Sequence, residues 1–288
     1  TFFAQHPEES QKRLGRPVLA DPQEPLRAGV DLVDQRQVLV TLLVLHFVDA
    51  DRLDPFQLPV RQTPVRITNV AIVDLDGDGS RDIVACDAGR NCVLSYHETS
   101  NGMWQERTLG DNLNVPVHAT VVDLDQDGDM DVVVSILGDI LPSDELVGKI
   151  ILLENEGTQF TQQILLDDVR RVADVQPGDF DQDGDLDLAV AVFGYSRGEV
   201  LWLKNRGNSG ADYGFRDHQL LVRPGAIHVP VGDLDGDGDL DIATIISQFE
   251  EEFWAFENVG AGQFRRRDFL VPRPKSDDFS YHRYPGFS

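Results

Sequence analysis

The stretch VGDLDGDGDLDIAT, residues 231–244, places aspartate at every second position from Asp233 to Asp241 inside an otherwise apolar run. Alternation of that kind is the period of a β-strand. A strand with a carboxylate at each alternate position, however, has no apolar face to bury on that side, and like charges so close together repel. The segment is stable only as a turn, with something positive among its carboxylates.

Three further copies share the same grammar: VDLDGDGSRDIV (73–84), VDLDQDGDMDVV (122–133) and GDFDQDGDLDLA (178–189). Their first aspartates, Asp74, Asp123, Asp179 and Asp233, follow one another at 49, 56 and 54 residues. Periods of this size signal an array or a propeller. Each copy has a short apolar strand leading in, a β-branched strand leading out, a variable loop, a third strand (CVLSYHE, KIILLENEG, EVLWLKNRG, FWAFENVG) and a fourth that starts at an aromatic residue. Four strands per unit is the make-up of a propeller blade, so the fold class expected is all-β, with four-stranded blades at residues 66–270. Helical spacing is confined to the N-terminal segment, 1–65, where HPEESQKRLG suits a turn or two; 271–288 reads as a tail or the start of another blade.

Within each turn the pattern is D-x-D-x-D-G-x-x-D. Side-chain oxygens at positions 1, 3, 5 and 9 and a backbone carbonyl at position 7 can converge on one point, and glycine at position 6 (Gly79, Gly128, Gly184, Gly238) permits the bend. The candidate metal ligands are Asp74, Asp76, Asp78, Ser80 and Asp82; Asp123, Asp125, Asp127, Asp129 and Asp131; Asp179, Asp181, Asp183, Asp185 and Asp187; and Asp233, Asp235, Asp237, Asp239 and Asp241. Hard oxygen donors in this number suit Ca²⁺, one ion per turn and about four in all, better than Mg²⁺, which keeps more of its water. An EF-hand would need a bidentate Glu at position 12 and flanking helices. Position 12 is instead Ala85, Val134, Val190 or Thr244, inside apolar strands.

Composition agrees. The 288 residues carry 50 acidic and 25 basic side chains, a formal charge of −25, and the four turns hold nineteen aspartates against one basic residue, Arg81. That balance argues against nucleic acid and anionic membrane surfaces as partners. Membrane insertion is not expected: the longest apolar run, VLVTLLVLHFV (38–48), is too short to span and reads as buried strand. Cys86 and Cys92 flank a hairpin turn, where a disulfide is geometrically possible and two buried thiols are the commoner state.

The turns, followed by LLENEGTQF (152–160) and AFENVGAGQF (255–264), resemble the FG-GAP/VCBS repeats of integrin-α-like β-propellers. Such repeats also occur in bacterial secreted proteins, fungal lectins and some polysaccharide lyases and dehydratases. The resemblance implies a calcium hairpin between the first two strands of a blade, on the face opposite the ligand-binding loops. It also implies rings of seven blades, of which four copies are an incomplete arc. The cassettes that name the repeat survive in traces, at Phe193-Gly194 and Gly225-Ala226. The start at Thr1 without methionine and the end DDFSYHRYPGFS read as a segment of a longer chain; the alternative is that 38–65 and 271–288 pair as a composite closing blade.

Two places invite a ligand. Five residues before each turn stand Asn69, His118, Asp174 and His228, channel candidates if the lead-in strand is the innermost of its blade. Two histidines and an aspartate suit a transition metal or acid–base work, while polar residues lining a wet channel need do neither. The long loops 136–149, 193–199 and 247–253 offer Tyr195, Arg197 and Phe249 as a carbohydrate platform, with Asp144, Glu145 and Glu250–Glu252 as a soluble rim. Trp104, Trp202 and Trp254 lie in strands and read as inter-blade core. No nucleophile elbow, P-loop, dinucleotide fingerprint or H-E-x-x-H is present. The expectation is a secreted, extracellular or periplasmic binding module for a glycan or an extracellular protein. The alternative is a sugar lyase or dehydratase-like enzyme with His118 and His228 in the channel.

Overall fold

The computed structural model describes residues 43–49, 52–57, 65–208, 213–248 and 251–270. Among them there is no helix. A hairpin of β1 (Leu43–Asp49) and β2 (Arg52–Gln57) precedes the repeats, so part of the apolar run 38–48 is strand. The HPEESQKRLG segment, the tail 271–288, Phe249 and Glu250 lie outside the described residues.

Four antiparallel blades follow. The first is β3 (Ile67–Val73), β4 (Asp82–Asp87), β5 (Cys92–Glu98) and β6 (Trp104–Gly110). The second is β7 (Pro116–Val122), β8 (Asp131–Ile136), β9 (Gly148–Asn155) and β10 (Phe160–Val169). The third is β11 (Val172–Gly178), β12 (Asp187–Val192), β13 (Glu199–Asn208) and β14 (Tyr213–Val222). In the fourth the lead-in strand is split into β15 (Ala226–His228) and β16 (Val231–Gly232), both paired with β17 (Asp241–Ile246), before β18 (Glu252–Asn258) and β19 (Phe264–Leu270). Pro230 lies in the break: it has no N–H to donate to the ladder, although its carbonyl accepts the Ala243 N–H at 3.0 Å.

The lead-in strands neighbour one another in series, β3 beside β7, β7 beside β11 and β11 beside β15, which makes them the inner strands of a propeller-like arc. Period-2 alternation packs it. In β8, Val132, Val134 and Ile136 join Val84, Cys86 and Val93 of the first blade, while Val133 faces the third blade with Leu188, Val190 and Val192. In β12, Ala189 and Ala191 face the fourth blade with Ile242 and Phe256. Middle strands are therefore apolar on both faces, as buried strands must be. Trp202 and Trp254 are buried; Trp202 packs edge-on against Phe264 of the next blade at 5.6 Å, and Trp104 packs against the Ile83–Leu94–Tyr96 cluster. Cys86 and Cys92 are both buried free thiols.

Candidate functional site

Every acidic turn has the same internal wiring. The position-6 glycine N–H donates to the position-1 carboxylate: Gly79 to Asp74 at 2.9 Å, Gly128 to Asp123 at 3.0 Å, Gly184 to Asp179 and Gly238 to Asp233 at 3.1 Å. These glycines have φ of 86°, 100°, 96° and 95°, the left-handed region that a Cβ penalises. The position-7 N–H donates to the position-5 carboxylate: Ser80 to Asp78 at 2.6 Å, Asp129 to Asp127 and Asp239 to Asp237 at 2.9 Å, and Asp185 to Asp183 at 3.1 Å. Position 4 is left-handed as well: Gly77 and Gly236 in two turns, but Gln126 (φ 62°) and Gln182 (φ 60°) in the others. Each glutamine reaches the next turn, Gln126 donating to the Gly184 carbonyl and Gln182 to the Asp239 carboxylate.

The wiring gathers carboxylates. Oxygens of Asp74, Asp76 and Asp78 lie within 4.8 Å of one another, as do those of Asp123, Asp125 and Asp127, of Asp179, Asp181 and Asp183, and of Asp233, Asp235 and Asp241. Asp74 Oδ1 and Asp181 Oδ1 are buried without any hydrogen-bond partner. A buried carboxylate oxygen facing other carboxylates is costly unless a cation meets it, so the donor set fits a hard divalent ion. The third turn supplies a cation of its own, because Lys204 Nζ lies against Asp181 and 3.3 Å from Asp183.

The position-9 aspartates are buried and do a second job. Asp82, Asp131, Asp187 and Asp241 each accept the N–H of the position-2 residue, from Leu75, Leu124, Phe180 and Leu234. Burial pushes the carboxyls of Asp131 and Asp187 up to about 6 despite these bonds. A partner that sequence reasoning missed completes the lock. Asn155, Asn205 and Asn258 donate their N–H to the position-9 carboxylate at 2.8, 2.7 and 2.7 Å, and their amide to the position-8 carbonyl of Met130, Leu186 or Leu240. Their Oδ1 accepts from Gly157, Gly207 or Gly260. The signal was visible as N-x-G in ENEG, KNRG and ENVG.

Three of the four channel candidates come together. Asp174 is 1% exposed; its Oδ1 lies 3.0 Å from His118 Nδ1, and its Oδ2 meets His228 Nδ1 and accepts the Val229 N–H at 2.9 Å. Gln176 Nε2 adds a bond to Oδ1 at 3.0 Å. One carboxylate of the third blade thus ties the second and fourth blades. Val229, at the break in the inner strand, gives its N–H to this carboxylate. Burial pushes the Asp174 carboxyl up, but His118, the Val229 N–H and Gln176 outweigh it and hold it below its usual 3.8. With both Nδ1 atoms turned to the carboxylate, the Nε2 edges face away, in side chains that are 24% (His118) and 48% (His228) exposed. Asn69 is not part of the cluster: its Oδ1 accepts the Ala119 N–H at 3.2 Å, an analogous clasp between the first two blades.

Antiparallel pairing sends the aspartate turns to one end of the blades and the second-to-third-strand loops to the other. On the loop side, Tyr195 is exposed, and Arg197 Nε lies 3.7 Å from Glu199. Asp144 is no idle rim: it accepts from Ser196 N (2.9 Å), Ser196 Oγ and Arg197 N (3.3 Å), fastening loop 137–147 to loop 193–198.

No curated protein matches the chain. Among solved structures it is similar to an X-ray structure described as a candidate gluconolactonase, at 17% identity and a TM-score of 0.42, over 77% of this chain and 68% of that one. A family model described as an FG-GAP-like repeat matches residues 74–134 and 179–244. Each match opens on the first aspartate of a turn and runs into the strand after the following turn. The aspartate turns and the strands between them in 74–134 and 179–244 therefore match FG-GAP-like repeats, and the four described blades form a propeller-like arc built around these turns.

Proposed function

We propose that this module is stabilised by calcium, one ion per aspartate turn, and works outside the cytoplasm, holding a carbohydrate or protein ligand with the loops at the opposite end of the blades. The observation that carries the calcium reading is the pair of buried, partnerless oxygens on Asp74 and Asp181 within carboxylate clusters of 4.8 Å reach. The position-1, 3, 5 and 9 carboxylates and the position-7 carbonyl are the donors such an ion would use, and the left-handed glycine lets the chain curl around it. Calcium is abundant outside cells, which supports secretion. Stripping the protein with a chelator and titrating Ca²⁺ by calorimetry tests this reading. Heat of uptake together with a gain in melting temperature is expected, and absence of both overturns it. Retention on panels of glycans and extracellular proteins tests the ligand.

A second reading rests on the Asp174 cluster. A buried carboxylate holding two imidazoles by Nδ1 fixes their tautomers and leaves each Nε2 able to take or give a proton, as an acid–base enzyme acting on sugars would need. Product formation lost in His118→Ala and His228→Ala variants supports this reading, whereas unchanged ligand retention in those variants supports the binder.

A further inference from the structure

Arg171 is out of place in so acidic a protein. It is 3% exposed, directly before β11, and only one of its three nitrogens is used: Nη1 donates to the Leu141 carbonyl at 3.0 Å. Nε and Nη2 are buried with no hydrogen-bond partner, while Nε of neighbouring Arg170 lies 3.9 Å from Asp144. Nε–H and Nη2–H of a guanidinium are parallel donors along one edge, the edge that accepts a carboxylate side-on through two bonds. The guanidinium also lies over the Phe193 ring, 4.6 Å from its centre. Burial draws this guanidinium below its ordinary value, with Asp139 and Asp144 as the charges that offset it. Asp144 is turned to Ser196 and Arg197, and Asp139 accepts the Leu141 N–H at 2.9 Å.

The surroundings are close-packed by design. A Cβ on Gly148 would stand 2.1 Å from the Arg170 carbonyl oxygen, and one on Gly194 would stand 2.8 Å from Arg170 Cδ, so glycine at both places lets the flanking backbone close on the arginine corner. Over that corner lies loop 137–147, whose Ile140, Leu141 and Leu146 are 47, 68 and 53% exposed, beside the exposed ring of Tyr195. An apolar rim above a buried, half-used guanidinium matches a ligand with an apolar body and an anionic head. We infer that the corner between the second and third blades is a binding site for a carboxylate carried on an apolar body, with Nε and Nη2 of Arg171 holding the carboxylate and Ile140, Leu141 and Tyr195 receiving the body. Loops 137–147 and 193–198 are joined over this corner by the Asp144–Ser196 and Ser143–Tyr195 hydrogen bonds, which the ligand would part on entering. This deepens the binding-module reading, on which it rests, by naming the ligand chemistry.

The test is calorimetric titration of the calcium-supplemented full chain with hexanoate and N-acetyl-leucine. Their amides, hexanamide and N-acetyl-leucinamide, are the uncharged controls, and glucuronate is a carboxylate on a polar body. Saturable binding of the acids is expected, at least tenfold weaker for the amides and for glucuronate, and at least tenfold weaker in Arg171→Lys, which keeps the charge and loses the fork. Arg171→Met guards against a purely structural role. Replacing an unpaired buried charge by an apolar side chain of similar length leaves the melting temperature unchanged or higher, whereas a guanidinium needed for folding would lower it. No saturable binding, equal binding of the amides, tighter binding of glucuronate, or unchanged binding in Arg171→Lys each overturns the inference. The calcium-dependent gain in melting temperature does not involve Arg171, so a chain that responds to calcium but ignores these acids sinks this site and leaves the module reading standing.

Discussion

At the scale of single residues, the four turns are not equal. Lys204 is the equivalent of Glu154 and Glu257 in the neighbouring blades, yet it places an ammonium on Asp181 and Asp183 where the others have acid. A divalent ion entering the third turn has to displace it. Replacing Lys204 by Met should tighten the calcium uptake proposed for the third turn by roughly three- to tenfold, the size of a partly exposed ion pair near 1 kcal/mol, and should lower the melting temperature of the calcium-free protein; calorimetry and a thermal scan on both proteins read the two effects. Asp174 gives a pH prediction whose sign follows from its depressed carboxyl. The stability it contributes is complete above the unfolded value of 3.8 and is lost as pH falls through the lower folded value. In Asp174→Asn the acid side of the melting-temperature profile should flatten below about pH 4. At neutral pH the variant should be less stable by about 1–3 kcal/mol, since Val229 N–H and two imidazoles lose a charged acceptor.

The unit at the next scale is the hairpin that joins a turn to its third strand. In the second, third and fourth blades an asparagine welds them, and Asn258, 1% exposed, also donates to the Phe180 carbonyl of the preceding blade at 2.6 Å. Asn258→Ala should cost about 2–4 kcal/mol, because its loss strands buried carbonyls and the Gly260 N–H together. In the first blade the equivalent residue is the exposed Glu98, and Glu98→Ala should stay within about 0.5 kcal/mol. Equilibrium urea unfolding of the two variants is the comparison. The turns and strands were legible in sequence because their constraints are local: aspartate spacing, a left-handed glycine and two-residue alternation act within a dozen residues. The lead-in strands ITNVAIV, PVHATVV and VADVQPG coincide with β3, β7 and β11. IHVPVG does not form one strand, because Pro230 interrupts it and Val229 turns its N–H to Asp174. The meeting of His118, Asp174 and His228 could be framed by their shared register but not seen, since it depends on how one blade sits on the next. Arg171 gave no signal at all: a lone arginine at a strand start says nothing of which of its nitrogens lack partners.

For the molecule as a whole, the question is whether the calcium ions proposed at the turns would hold only their own hairpins or the stack of blades. An ion bound by the native state alone adds about 2.7 kcal/mol at a hundredfold excess over its Kd, and with a chain charge of −25 its removal also restores repulsion between neighbouring turns. Cys86 and Cys92 report on this from opposite sides of the first blade. Cys86 packs between the first two blades, and Cys92 packs in the cluster on the other face with Ile83 and Leu94. Burial pushes the two thiols up to about 12 and about 11, so in the intact protein at pH 8 neither should react with a thiol reagent over hours. If calcium holds the stack, chelation should open both faces, and both thiols should become reactive over the same range of free calcium in which the melting temperature falls. Sodium chloride should restore part of the protection by screening the carboxylates, and magnesium at equal concentration should restore less than calcium. Thiols that stay protected after chelation, with calcium uptake still measurable, would confine each ion to its own hairpin and leave inter-blade packing and the Asp174 clasp as what keeps the blades together.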